Sequence, residues 1–174
     1  PPYMLHRDFI TDEGWWGHNA RNHFLSGRWI VDDFNQAIFA APVHTVLLRL
    51  SFQALGLGLW QARLVYACLG LVTLLALIWW LRNAAGERAA LFGGFVYAAD
   101  YFSFTYHRVA MVETNAIAFL TLAVALCGMR WGNKWLALFL AGTVGALCVF
   151  TKMNFLFLVP ALVAAALTRC MADG

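Results

Sequence analysis

Long apolar stretches without charged residues occupy most of the chain from residue 60 onward. A helix that crosses the hydrocarbon core of a bilayer needs about 20 mostly apolar residues and carries its charges near its ends. Five stretches approach this length when their flanks are included, and they lie at 64–81, 89–99 (extended through Asp100 to His107), 114–129, 135–151 and 153–168. The pattern predicts an all-α polytopic membrane protein with about five transmembrane helices.

Residues 1–59 follow a different pattern, because charged residues recur too often there for a spanning helix. Two segments, 15–27 and 43–55, place polar residues at three- or four-residue intervals among apolar ones, which is typical of amphipathic helices on a membrane surface. We therefore expect a single membrane domain over 1–174, with an extracytoplasmic loop at 1–59 and a helix bundle at 60–174. The polar positions of the two segments are Asn19, Asn22, His23 and Ser26, and then Thr45, Arg49 and Gln53.

The composition supports a membrane protein and excludes one other class. Apolar residues make up 62% of the 174 positions and charged residues 12%, against about 45–50% and about 25% in ordinary soluble domains. The net charge of +3 comes from 12 basic residues scattered among 9 acidic ones. Since no basic stripe lies on a solvated face, a nucleic-acid partner is excluded.

The basic residues of the short loops give the orientation. Three loops that carry five of them lie on one side of the predicted bundle, and by the positive-inside rule that side is cytoplasmic. The opposite side holds every histidine and most of the acidic residues, so we expect any chemistry on the extracytoplasmic face. The chain begins without Met and stops just after an apolar stretch, which suggests a fragment of a longer protein. The loop residues are Arg82, Arg88, Arg130, Lys134 and Arg169.

The adjacent carboxylates of Asp12 and Glu13 are the first candidates for chemistry. A carboxylate partly buried at the membrane surface has a raised pKa and can act as a general base. The alternative is structural, because acidic residues in the first turn of a helix favour its dipole. Periodicity alone leaves both interpretations open.

Further candidates lie in the outer turns between the predicted helices. His107, Arg108 and Glu113 stay near the membrane surface because their turn is short, although Glu113 can instead cap its helix and Arg108 can extend toward lipid phosphates. Arg63 and Lys152 are cations at outer helix ends, where they can either reach headgroups or neutralise a phosphate leaving group.

Metal and nucleotide chemistry have little support in the sequence. His18 and His23 are five residues apart, which places them on different sides of a helix, and no HExxH spacing occurs. We therefore predict no metal ligands, and a divalent cation is the only cofactor left open. The absence of a glycine-rich phosphate loop disfavours an enzyme that uses nucleotides.

Several segments, taken together and in order, carry a resemblance to a known family. The sequence resembles GT-C membrane glycosyltransferases of the family 39 type, which include the protein O-mannosyltransferases and the lipid A aminoarabinose transferases. The resemblance covers nearly the whole chain. It rests on DEGWWGHNARN at 12–22, GRW at 27–29, DDFN at 32–35, WQARL at 60–64, YHRVAMVE at 106–113 and TK at 151–152.

The resemblance implies an enzyme of the inner membrane that acts on the extracytoplasmic side. Family members transfer a sugar from a polyprenyl-phosphate carrier to a protein or lipid acceptor, with inversion at the anomeric carbon, and the fold implies further helices on both sides of this chain. Asp12 would be the base and Glu13 a supporting acid. The substrate-binding residues implied are Arg63, His107, Arg108, Glu113 and Lys152. Of these, the three cations Arg63, Arg108 and Lys152 would bind the carrier phosphate.

One departure and one alternative accompany this interpretation. Many relatives carry His-Pro or Pro-Pro where this chain has Ala41-Pro42-Val43-His44, so the resemblance does not define the acceptor side of the site. The alternative function is a non-catalytic transporter or lipid-binding subunit. A transporter is expected to hold ionisable groups near the bilayer midplane. Here they lie at the helix ends, with Asp100 the deepest, which favours an enzyme working at the interface.

Overall fold

The computed structural model describes residues 11–29, 37–129 and 132–171, except for the side chains of residues 11, 12 and 37. Every regular element in these ranges is helical, which confirms the all-α prediction. The elements are α1 (Thr11–Ser26), α2 (Ala37–Ala40), α3 (Pro42–Leu55), α4 (Leu59–Ala85), α5 (Glu87–Ala99), α6 (Tyr101–Tyr106), α7 (Val112–Cys127), α8 (Lys134–Thr151), a 3₁₀ segment (Met153–Leu158) and α9 (Val159–Met171).

Within the described ranges, three helical segments are long and apolar enough to cross a membrane, so the protein is polytopic. They are Leu59–Ala85, Lys134–Thr151 and Met153–Met171, and Val112–Cys127 is a shorter apolar helix. They include the predicted segments at 64–81, 135–151 and 153–168, while those at 89–107 and 114–129 correspond to shorter helices. The stretch at 89–107 forms two short helices, because the Asp100 carboxylate accepts the Ser103 backbone N–H at 2.7 Å and caps a new helix.

The consecutive helices α4 and α5 pack closely against each other, so the chain reverses its direction between them. The turn between the two helices is at Gly86, whose φ of +90° favours glycine. Gly93 and Gly94 then face Leu81 and Ile78 so closely that a Cβ on either glycine would lie within 3 Å of those side chains. Glycine at these two positions therefore permits the short distance between the helices.

The helices alternate in direction, so the beginnings of α4 and α7 and the end of α8 lie at one end of the bundle, called the upper end below. α4 has 27 residues and is about 40 Å long at 1.5 Å per residue, which exceeds the roughly 30 Å of the hydrocarbon core. α1 and α3 pack at the upper end, where Leu48 of α3 contacts Gly17 of α1.

Both helices expected at 15–27 and 43–55 are present as α1 and α3. Their polar sides were partly mispredicted, because Asn19 and Thr45 are fully buried. Asn19 Oδ1 accepts the Ile38 backbone N–H at 3.1 Å, and the Thr45 hydroxyl donates to the Ala41 carbonyl at 2.9 Å. These two polar groups face the protein because each has a partner there. The position of α1 and α3 on a membrane surface stays a prediction.

Candidate functional site

A buried ion pair fixes the first turn of α1 to the upper end of the bundle. Arg63 of α4 donates from Nε to Glu13 Oε1 at 2.8 Å and from an η nitrogen to Oε2 at 2.7 Å. Each side chain is only 2% exposed. This bidentate arrangement satisfies both charges in a place from which water is excluded, which is the condition under which a buried pair is tolerated.

Glu13 also receives a backbone donor from a third segment. The N–H of Ala110, in the turn before α7, donates to Oε1 at 2.8 Å. The carboxylate therefore joins α1, α4 and the turn at 107–111. Glu13 was expected as a supporting acid, and its contacts suit a group that holds its neighbour Asp12 in place. The Asp12 side chain itself lies outside the described part of the structure.

A cavity of about 300 Å³ opens beside this ion pair. One wall is the face of α1 that carries Glu13, Gly14, Gly17, His18 and Arg21. The opposite wall is mostly apolar and comes from the end of α3 and the beginning of α4, with Leu48, Phe52, Leu57, Leu59 and Ala62. An apolar cavity with a few polar groups along one side has the composition of a small-molecule site.

A second ion pair lies at the same end of the bundle. Lys152, which follows α8, donates from Nζ to Glu113 Oε1 of α7 at 2.8 Å, and both side chains are partly exposed. The same Nζ lies 5.3 Å from the centre of the Trp16 ring of α1, within the range of a cation–π contact. The two residues that the sequence put forward separately are therefore neighbours, and Trp16 connects them to α1.

His107 and Arg108 are held apart from the buried ion pair. The His107 ring packs against Gly70 of α4, and its Nε2 is hydrogen-bonded to the Tyr97 hydroxyl. Burial lowers the pKa of His107, so the ring is neutral at pH 7. Arg108 lies 4.9 Å above the Phe104 ring of α6. Both residues belong to the upper end, on the side of α6.

A buried polar cluster is the feature that the sequence analysis missed. His44 of α3, Tyr66 of α4 and Asn115 of α7 are all fully buried. The Tyr66 hydroxyl lies 2.9 Å and Asn115 Nδ2 3.4 Å from His44 Nδ1, and burial lowers the pKa of His44 to about 3. The signal in the sequence was His44 in the segment Ala41-Pro42-Val43-His44, which was noted only as a departure from the resemblance.

No group of three or more His, Cys, Asp or Glu residues that could hold a metal ion occurs within 11–29, 37–129 and 132–171. Across the same ranges four of the predicted site residues form two bonded pairs, and His107 and Arg108 belong to neither. Glu13 and Arg63 are bonded to each other, and Glu113 and Lys152 are bonded to each other beside Trp16. Arg63 was expected to hold a phosphate, and two of its nitrogens bind Glu13 instead, so that role stays a prediction.

Comparison with known proteins places this arrangement in a family. No curated protein and no solved structure matches the chain significantly. A family model described as dolichyl-phosphate-mannose-protein mannosyltransferase matches residues 40–172, which covers α3 to α9 and leaves α1 outside the matched range. Because the match extends over more than half of the sequence, the chain belongs to the dolichyl-phosphate-mannose-protein mannosyltransferase family of GT-C glycosyltransferases.

Proposed function

We propose that this protein transfers a sugar from a polyprenyl-phosphate carrier to a hydroxyl of a protein or lipid acceptor, with Asp12 as the general base. Family membership supports a glycosyltransferase of the GT-C type with a lipid-linked donor in general. The observation that carries the finer proposal is the anchoring of Glu13 by Arg63 and the Ala110 N–H. These bonds hold the backbone next to Asp12 beside a cavity of about 300 Å³.

The reaction follows from these groups. The Asp12 carboxylate takes the proton of the acceptor hydroxyl as the oxygen attacks the anomeric carbon. The bond from that carbon to the phosphate oxygen breaks at the same time, so the configuration inverts and the carrier phosphate leaves with its electron pair. A fixed base raises the rate because the acceptor and the proton acceptor are already oriented.

The leaving phosphate needs positive charge at the upper end of the bundle. Lys152 is the best-placed cation, because it is partly exposed beside Trp16 of α1. Arg108 is a second candidate, on the side of α6. A cation positioned where negative charge develops stabilises the transition state without reorganisation. This chemistry needs no nucleotide, and a divalent cation is the cofactor that we leave open.

The side of the membrane is part of the proposal. We place the upper end on the extracytoplasmic face of the inner membrane, because the short loops at the other end carry five Lys and Arg residues, whereas the short turns at the upper end carry Arg108 and Lys152. A cysteine introduced at the exposed position Ser26 should react with a membrane-impermeant maleimide added to intact cells, after the natural cysteines have been replaced. Labelling that requires cell lysis would reverse the orientation.

The competing function is a transporter or lipid-binding subunit, and one experiment separates it from the enzyme. Membranes carrying the full-length protein are given a radiolabelled polyprenyl-phosphate mannose, with wild type and Asp12→Asn at matched expression. The control is Glu87→Gln, which removes an exposed acid from the opposite end of the bundle. We expect label on the acceptor with wild type and Glu87→Gln, and a loss of at least about 100-fold with Asp12→Asn.

Each other outcome has a definite meaning. Equal transfer by wild type and Asp12→Asn would remove Asp12 from the mechanism. No transfer with any member of a panel of lipid-phosphate sugars would favour the transporter or lipid-binding function. Repeating the wild-type assay with EDTA tests for a divalent cation, since an enzyme that uses one would lose activity and recover it when the metal is restored.

A further inference from the structure

A second cavity, of about 400 Å³, opens between α6 and the beginning of α7. Its volume falls within the roughly 300–1,000 Å³ of small-ligand sites. The aromatic rings of Phe102 and Tyr106 line it, together with Thr114, His107 and Glu113. Aromatic walls and polar groups therefore meet in one place at the upper end of the bundle.

Two residues that line this cavity each carry a buried polar atom that has no hydrogen-bond partner among the described residues. The two atoms are Glu113 Oε2 and His107 Nδ1. A buried polar atom without a partner costs free energy, so such atoms on residues that line one cavity indicate a place for a polar ligand. The other polar atom of each side chain is engaged: Glu113 Oε1 binds Lys152, and His107 Nε2 is bonded to the Tyr97 hydroxyl.

The two unpartnered atoms are complementary in hydrogen bonding. The Glu113 carboxylate oxygen is an acceptor. When the Tyr97 hydroxyl donates to Nε2 of the neutral His107 ring, Nδ1 carries the proton and is a donor. A sugar hydroxyl both donates and accepts, and the C–H face of a pyranose packs on an aromatic ring. The cavity offers a partner for each of these properties.

We propose that this cavity holds the sugar ring of the donor, and the inference rests on the proposed function. The position of Lys152 indicates that the sugar in the cavity belongs to the donor and not to the acceptor. Its Nζ lies 2.8 Å from Oε1 of Glu113, a residue that lines the cavity, so a sugar in the cavity would carry its phosphate toward Lys152. With a protein acceptor, only the donor combines a sugar with a phosphate. His107 and Glu113 thus determine which sugar is accepted, while Lys152 serves the carrier phosphate.

Gly70 gives a way to move His107 without removing any polar group. A Cβ at position 70 would lie 2.6 Å from His107 Cγ, so Gly70→Ala displaces the ring from its present place. Gly142 of α8 is the matched control, because nothing lies within 4 Å of a Cβ added there. Gly142→Ala therefore makes the same change in a helix without moving a neighbour.

The test compares two lipids that differ only in the sugar. The full-length protein in lipid nanodiscs is titrated with dolichyl-phosphate mannose and with bare dolichyl phosphate. We expect wild type and Gly142→Ala to bind the mannose-bearing lipid about tenfold more tightly, the difference that one net hydrogen bond to a charged group supplies. Gly70→Ala and His107→Leu should reduce the ratio to about one, with the bare-lipid Kd within about twofold of wild type.

A conservative variant separates recognition from folding. His107→Asn places an amide N–H near the position of Nδ1 and should restore most of the ratio that His107→Leu loses. A ratio of one in wild type would overturn the proposal, as would an equal loss of affinity for both lipids in Gly70→Ala. An increase in the acceptor KM of Gly70→Ala with an unchanged lipid ratio would assign the cavity to the acceptor and also overturn it.

The result of the binding test does not depend on whether Asp12 is the general base. Binding is measured without transfer, so Asp12→Asn should show the wild-type ratio. If Asp12→Asn still transfers sugar while Gly70→Ala loses the ratio, the sugar site stands and the assignment of the base fails. If Asp12→Asn abolishes transfer while Gly70→Ala keeps the ratio, the base stands and the sugar site fails.

Discussion

Glu13 and Arg63 are 50 positions apart in the chain and meet in a bidentate ion pair with both side chains 2% exposed. The pair connects α1, which lies outside the matched family range, to α4, which lies inside it. Because the carboxylate also accepts the Ala110 N–H, three segments depend on one side chain. The contact therefore determines where Asp12 lies relative to the bundle.

Removing one partner of this pair should be costly. Glu13→Gln leaves the Arg63 guanidinium buried without a counter-charge, and breaking a buried pair in this way costs about 3–5 kcal/mol. We expect a clear fall in the melting temperature of the purified protein in detergent, together with loss of sugar transfer. Arg63→Lys should also lower the melting temperature and abolish transfer, because an ammonium cannot bind both carboxylate oxygens in the same geometry.

A double variant separates stability from activity. Glu13→Leu with Arg63→Leu removes both charges, and replacing a buried pair by apolar residues is often close to neutral. We expect its melting temperature to lie above that of Glu13→Gln, while transfer stays lost because α1 is no longer fixed. A double variant with wild-type transfer would show that the pair has no part in positioning Asp12.

Replacing Lys152 should lower kcat/KM for the donor more than it lowers the stability of the fold. Its pair with Glu113 is partly exposed, and such pairs contribute at most about 1 kcal/mol to stability. A hydrogen bond to a charged group is worth about 1.5–3 kcal/mol, so Lys152→Ala should lower kcat/KM for the lipid-linked sugar roughly 10- to 100-fold. Lys152→Arg should retain a larger part of the activity because it keeps the charge.

The control for Lys152 lies on the same helix. Lys134→Ala removes a lysine from the other end of α8 and should leave kcat/KM within about twofold of wild type. Steady-state transfer assays with varied donor concentration measure these values. An unchanged kcat/KM in Lys152→Ala would mean that the carrier phosphate is held elsewhere, with Arg108 as the next residue to test.

Hydrophobic patterning predicted the helices well and their lengths less well. α1 and α3 were expected from polar residues at three- and four-residue spacing, and both helices are present. The break at Asp100 was not expected, because an apolar stretch with one carboxylate is compatible with a continuous helix. Its cause is a local bond from Ser103 to Asp100 that hydropathy does not record.

The sequence could not predict which site residues pair with each other, and the reason is different. Glu13, Arg63, Glu113 and Lys152 were each singled out, yet their partners are 50 and 39 positions away, and such contacts depend on tertiary packing. The same limit explains Asn19 and His44, which are buried because other helices supply partners. A polar residue in a helix pattern looks the same whether it faces water or a buried partner.

Alanine should have different effects at Gly94, which lies in the α4–α5 contact, and at Gly142, which lies in α8. Gly94→Ala would place a Cβ 2.6 Å from Ile78 Cγ1, whereas a Cβ at Gly142 meets nothing within 4 Å. Overpacking costs about 1–3 kcal/mol, and alanine gains up to about 1 kcal/mol over glycine in a helix. We expect thermal unfolding in detergent to show a lower melting temperature for Gly94→Ala and an equal or higher one for Gly142→Ala.

His44 should make the fold sensitive to mild acid. Burial lowers its pKa to about 3, from an ordinary value of 6.5, so between those values the unfolded chain binds a proton that the folded protein does not. Stability from this residue is therefore complete above about pH 6.5 and falls as the pH decreases, by about 1.4 kcal/mol per pH unit, until the folded protein also takes up the proton near pH 3.

The measurement is the melting temperature of the protein in detergent between pH 7.5 and pH 4.5, for wild type and His44→Gln. Glutamine keeps a hydrogen-bonding group near Tyr66 and Asn115 and does not titrate, so its melting temperature should fall less steeply with decreasing pH. His18→Gln is the matched control for the substitution itself, because His18 is only partly buried and lies outside the cluster of His44, Tyr66 and Asn115. If His44 is buried and neutral in the folded protein, its protonation in the unfolded chain must lower the stability of the fold. Equal slopes for wild type and His44→Gln would therefore mean that the acid sensitivity arises from other groups.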